Sequence, residues 1–124
     1  MALFDTAVLT AAGILHLLPV AGMAGRMRLR RLYGIDLSDA DTLLLMRHRA
    51  AMFAALGLLL LAAAAVPQWR LPGAVAGLIS TAAYCGLAGR PGSLSPPLRR
   101  LWWIDLILAL GLAAVAMRAV SGGA

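Results

Sequence analysis

The chain has no lysine and no glutamate. All 11 basic residues are arginine and all 5 acidic residues are aspartate, a usage that reads as GC-rich coding rather than as chemistry. Charge of either sign is scarce at 13%, where a soluble domain carries about a quarter. Cysteine occurs once, as Cys85 in an apolar run, which excludes an internal disulfide and zinc or iron–sulfur ligation by cysteine. No Lys or Arg precedes the first apolar run. The small residues of 20–25 therefore do not complete a secretory signal, and the first segment is expected to be retained. There is no phosphate-binding glycine loop, no nucleophile elbow, no His-x-x-x-His and no Cys-x-x-Cys, so the common soluble enzyme chemistries have no support.

Apolar residues make up 62% of the 124 positions and the mean hydropathy is +0.88, values that point to lipid as the solvent. Four apolar runs stand out, at about Ala7–Gly25, Leu43–Val66, Leu71–Ala88 and Leu101–Met117. Each is close to the roughly 17–25 residues that cross a bilayer core as a helix, and none alternates as a membrane strand does. The polar stretches between them are too short for a separate folded domain. The expected fold is all-α: a single four-helix transmembrane bundle over 1–124, with helices at about 6–25, 40–66, 71–88 and 96–118. Ser38 with Asp41 suggests a capping box for the second helix. Ser95 followed by Pro96 and Pro97 suggests the start of the fourth. Asp5 reads as an N-cap of the first.

A net charge of +6 with a pI near 11.4 suggests nucleic acid in a soluble protein. Here the arginines cluster at the ends of apolar runs, where they meet lipid phosphate and set topology, and no nucleic-acid partner is expected. Arg26, Arg28, Arg30, Arg31, Arg90, Arg99 and Arg100 fall on one side of the bilayer, and Arg70 and Arg118 on the other. The positive-inside rule then places both termini outside and the basic loops in the cytoplasm of a bacterial inner membrane. Trp69 and the Trp102–Trp103 pair suit aromatic belts. Gly73 and Gly77, extended by Thr81, form a small-residue face for helix packing, either within one bundle or in a homo-oligomer such as a dimer.

Ionisable residues at membrane depth are costly, so each is a candidate for function. His16, the Arg47-His48-Arg49 run, Tyr84 with Cys85, and Asp105 fall in four different apolar runs. At 1.5 Å per residue they all lie roughly 5–13 Å from the cytoplasmic end. Pro19 frees the carbonyl of Leu15 and is expected to kink the first helix beside His16. Arg47 and Arg49 differ by about 200° around their helix, so only one can face the bundle and pair with Asp105. Asp105 shares a face with Trp102. The expected site therefore has His16, His48, Asp105, Arg47 and Arg49 as catalytic candidates, with Trp102, Tyr84 and Met52 lining a ligand. His16, His48, Met23, Met46 and Met52 could make a soft copper(I) site, but only His48–Met52 has helical ligand spacing, so no metal and no cofactor is expected.

The stretch His16-Leu-Leu-Pro19, the basic loop through Tyr33, Leu44-Leu-Met-Arg-His-Arg-Ala50, and Arg99-Arg100 with Asp105 together resemble small bacterial four-helix membrane proteins, broadly DoxX-like. The resemblance covers nearly the whole chain and implies the four-helix fold, but no activity. Some members of that group are labelled phosphopantetheine adenylyltransferase, a soluble α/β activity whose strand-borne phosphate site has no counterpart here. The functional expectation is a lipophilic small-molecule site in the cytoplasmic half, with proton-transfer isomerisation or cyclisation as the reaction class if it is catalytic. The alternatives are an accessory membrane subunit, in which the polar cluster fixes helix register, and a small oligomeric transporter or proton relay.

Overall fold

The structure is a computed structural model that describes residues 2–19, 27, 30–31, 34 and 39–122. Among the described residues four α-helices are delimited: α1 (Ala2–Leu17), α2 (Ala40–Ala65), α3 (Arg70–Ala88) and α4 (Pro96–Val120). Short 3-10 turns at Pro67–Trp69 and Pro91–Ser93 join α2 to α3 and α3 to α4. No strand occurs among the described residues.

Local chemistry accounts for the boundaries. Asp39 caps α2: its carboxylate accepts from the Thr42 backbone N–H at 3.0 Å and from the Thr42 hydroxyl at 2.6 Å. Those bonds hold the Asp39 carboxyl below the usual carboxylate range. The expected partner in this cap, Ser38, lies outside the described residues, as do Met23, Arg26, Arg28 and Tyr33. Val66 is extended ahead of Pro67 and ends α2, because a proline crowds a helical residue before it. Gly89 ends α3 at φ 72°, a conformation glycine adopts without strain. Pro96 and Pro97 occupy the first turn of α4, where a missing N–H is no loss. Ser95 stands at the cap position, but its side chain makes no capping hydrogen bond.

The first helix departs from expectation at both ends. It starts at Ala2, and its α-helical part ends at Leu17, passing into a 3-10 turn at Leu18 and Pro19. The change from α-helical to 3-10 geometry falls at Pro19, three residues after His16, where the proline has no N–H to give the Leu15 carbonyl. The 20–25 stretch assigned to this helix lies outside the described residues. At 16 residues α1 is the short element, about 24 Å at 1.5 Å per residue. The other three, as Ala40–Ala65, Pro67–Ala88 and Pro96–Val120, are long and apolar enough to cross a membrane.

Two hairpins, α1–α2 and α3–α4, pack side by side. The α1–α2 crossing is built on two glycines. A Cβ on Gly57 would meet the Gly13 carbonyl oxygen at 2.9 Å and Leu17 Cγ at 2.8 Å, and a Cβ on Gly13 would meet Leu61 at 2.8 Å. The expected Gly73/Gly77 face is used inside the bundle. Gly73 lies against Ala63 of α2, and Gly77 sits between Leu60 of α2 and Leu112 of α4. Thr81 on the same face is buried and returns its hydroxyl to the Gly77 carbonyl at 3.0 Å. The centre is a thin apolar layer of Leu9, Ala12, Leu60, Ala63, Ala74 and Leu112. Large apolar side chains such as Leu44, Leu58, Ile79, Ile107, Leu110 and Met117 point outward. An apolar exterior of that extent is the surface of a protein solvated by acyl chains.

The end that carries the first turn of α1 and the last turn of α4 is locked by charge. Asp5 is 1% exposed, with its Oδ1 2.9 Å from Arg118 Nε and its Oδ2 3.7 Å from Arg70 Nη1. Arg70 also donates to the Thr6 hydroxyl at 3.5 Å, and the Arg118 guanidinium lies over the Phe4 ring at 5.5 Å. Asp5 is therefore not an N-cap. Lying three residues inside α1, it turns into the bundle and joins the ends of α3 and α4 to α1.

Candidate functional site

At the opposite end, α1, α2 and α4 diverge around a cleft of about 430 Å³. Its apolar wall comprises Leu15, Leu18, Pro19, Phe53, Leu101 and Ile104. Its polar groups are His16, Arg31, Arg49, Arg100 and Asp105. Pro19, in the 3-10 turn after α1, and Pro97, in the proline-led first turn of α4, both line the cleft.

His16 is 5% exposed, and both ring nitrogens are engaged. Nδ1 lies 2.7 Å from the Ala12 carbonyl oxygen, which accepts only, so this nitrogen carries the proton. In the neutral ring Nε2 then accepts from the Ser80 hydroxyl of α3 at 3.1 Å. The ring face packs on Phe53 at 5.5 Å between centroids, tilted by 54°. The Arg49 guanidinium sits over the other partner of that stack, 4.7 Å from the Phe53 centroid. Arg49 is also the cation electrostatically coupled to the half-buried Asp105. A chain of contacts thus runs from Ser80 through His16 and Phe53 to Arg49 and Asp105, tying α3, α1, α2 and α4 together at one depth.

Of the residues expected at a site, the cleft brings together His16, Arg49 and Asp105. The phase of α2 decides between the two arginines. Arg49 lines the cleft, whereas Arg47 and His48 are exposed on α2, and Met52 is 54% exposed on its outer face. Tyr84 and Trp102 do not line the cleft either. The Tyr84 hydroxyl donates to the Leu98 carbonyl at 2.9 Å, and Trp102 Nε1 donates to the Cys85 carbonyl at 3.4 Å. The Cys85 thiol donates back to the Trp102 carbonyl at 3.5 Å. These groups stitch the α3–α4 hairpin, and Trp102 turns toward α3 although it is three residues from Asp105. Among the described residues no three His, Cys, Asp or Glu side chains are placed to hold a metal ion.

Sequence reasoning missed Phe53, Arg31, Arg100 and the wall formed by Leu15, Leu101 and Ile104. The i, i+3, i+4 pattern Pro97, Arg100, Leu101, Ile104, Asp105 on one face of α4 is the signal that was available.

Neither the family models, nor the curated proteins, nor the solved structures contain a match to this chain.

Proposed function

We propose that this chain is a multi-pass membrane protein of a bacterial inner membrane that binds one lipophilic small molecule in the cleft between α1, α2 and α4, at the cytoplasmic end of the bundle. The observation that carries the reading is the composition of the cleft: an apolar wall of Leu15, Leu18, Phe53, Leu101 and Ile104 beside the polar groups His16, Arg49 and Asp105. Binding sites for small molecules combine these two elements, apolar area for affinity and a few placed polar groups for orientation. The arginine distribution supports the cytoplasmic placement of this end, and the resemblance to DoxX-like proteins agrees with the four-helix fold.

Binding is favoured over acid–base catalysis because both nitrogens of His16 are already bonded, one to a helix carbonyl and one to Ser80. A proton-transfer role would require the ring to release Ser80 first. Transport is disfavoured by the buried apolar layer of Leu9, Ala12, Leu60, Ala63 and Leu112, which holds no polar side chain to carry a solute or proton.

The test is native mass spectrometry of the detergent-purified protein after exposure to an equimolar mixture of single-chain amphiphiles with neutral, zwitterionic and anionic heads. The wild type is expected to retain one amphiphile through detergent removal. Ile104→Trp, which fills the cleft, is expected to lose it, and Leu110→Trp on the exposed face of α4 is expected to keep it. Equal retention by all three proteins, or none by the wild type, would remove the cleft as a binding site.

A further inference from the structure

We propose that the occupant of this cleft is an amphiphile with a phosphate head, bound with its phosphate among Arg31, Arg49 and Arg100 and its chain along Leu15, Phe53 and Ile104. This rests on the reading of the cleft as a lipophilic site and adds the head-group chemistry. Among the described residues three guanidinium groups line the cleft and one carboxylate, Asp105, opposes them, an excess of two positive charges with Asp105 ionised. A neutral His16 ring leaves that excess unchanged and a protonated one would add to it. A phosphate monoester carries about 1.5 to 2 negative charges at neutral pH and matches that excess. Guanidinium forks bind phosphate oxygens through paired N–H groups, a geometry a neutral or cationic head cannot use.

Position separates these arginines from ones that only mark topology. Arg47, two residues from Arg49, is exposed on the outside of α2, and Arg99, beside Arg100, donates to the Leu94 carbonyl of its own loop at 3.1 Å. Arg49 instead lies over Phe53 inside the cleft, close to Asp105. Arg31 comes from the segment between α1 and α2, and Arg100 comes from the first turns of α4. Three chain segments far apart in sequence therefore each deliver one guanidinium to the same cavity, whose wall is otherwise apolar. The Asp105 carboxylate beside Arg49 works against an anion, so its charge is predicted to limit affinity and its removal to increase it.

The experiment is a titration of the protein in phosphatidylcholine nanodiscs with dodecyl phosphate, dodecanol and dodecyltrimethylammonium, each followed by thermal shift, with inorganic phosphate as a fourth ligand. Dodecyl phosphate is expected to bind at least tenfold more tightly than dodecanol. Arg31→Gln and Arg100→Gln, both at exposed positions and so compatible with folding, are each expected to narrow that ratio severalfold. Asp105→Asn is expected to widen it, and Arg90→Gln, outside the cleft, to leave it unchanged. Inorganic phosphate is expected to bind far more weakly than dodecyl phosphate. If it binds as tightly, the site takes a free phosphate and the amphiphile is overturned. Equal affinity for dodecyl phosphate and dodecanol would overturn the head-group assignment while leaving the lipophilic cleft intact. Binding of none of the four would overturn both.

Discussion

At the residue scale the two ends of the bundle use charge in opposite ways. Asp5 is buried with its carboxylate between Arg70 and Arg118. This cluster is a clasp. Removing one partner of a buried ion pair leaves the other charge desolvated and uncompensated, a loss of about 3–5 kcal/mol. Asp5→Asn is therefore expected to lower the melting temperature in detergent sharply, and an Asp5→Asn, Arg118→Met double variant to recover part of the loss. Equal melting temperatures for wild type and Asp5→Asn would mean that the clasp contributes nothing. The sequence offered one acid and two bases at the same end of three helices, and Asp5 was read as a cap because it stands close to the start of an apolar run. Helix phase, not spacing, decides that its side chain turns inward. The same limit applied to α2: Arg47 and Arg49 could be assigned to opposite faces from sequence, but which face met the bundle depended on the Gly13–Gly57 crossing, a contact between two helices that neither sequence segment encodes alone.

At the element scale α2, α3 and α4 were legible because long apolar runs end at residues with local reasons to stop a helix: Asp39, Pro67, Gly89 and Pro96. The first helix was less legible because the apolar run continues without a break through Leu18 and Pro19, where the α-helical geometry gives way to a 3-10 turn. The packing of α1 on α2 depends on backbone approach, so glycine matters there for space rather than for conformation. Gly57→Ala is expected to destabilise the bundle by about 1–3 kcal/mol, since a Cβ would press on the Gly13 carbonyl oxygen, which cannot rotate away. Gly86→Ala is expected to be neutral or stabilising by up to about 1 kcal/mol, because a Cβ there meets nothing within 4 Å and alanine favours the helix. Melting temperatures of the two variants in the same detergent check the pair, and a similar loss in both would contradict the close crossing.

At the scale of the whole molecule, the arrangement is a thin apolar core, an exterior adapted to acyl chains, a charged clasp at one end and an open basic cleft at the other. The coincidence in depth of His16, Arg49 and Asp105 was visible in the sequence as polar residues at similar distances from one set of helix ends. The cavity itself was not, because it forms between side chains of α1, α2, α4 and Arg31, whose mutual rotation no single segment encodes. Tyr84 and Trp102 share that depth yet serve the α3–α4 hairpin, since their polar atoms find backbone carbonyls on the adjacent helix before they reach the cleft. Depth alone therefore overestimates a site, and helix rotation sorts the residues that share it.

The most direct test of the binding site is photolabelling in native membranes with a diazirine placed midway along the chain of a single-chain amphiphile, followed by mapping of the modified residues by mass spectrometry. The account predicts saturable labelling concentrated on Leu15, Leu18, Phe53, Leu101 and Ile104, reduced by excess unlabelled amphiphile. Labelling that is unsaturable and spread over Leu58, Ile79, Ile107 and Leu110, as expected of bulk lipid on the outer faces, would contradict it.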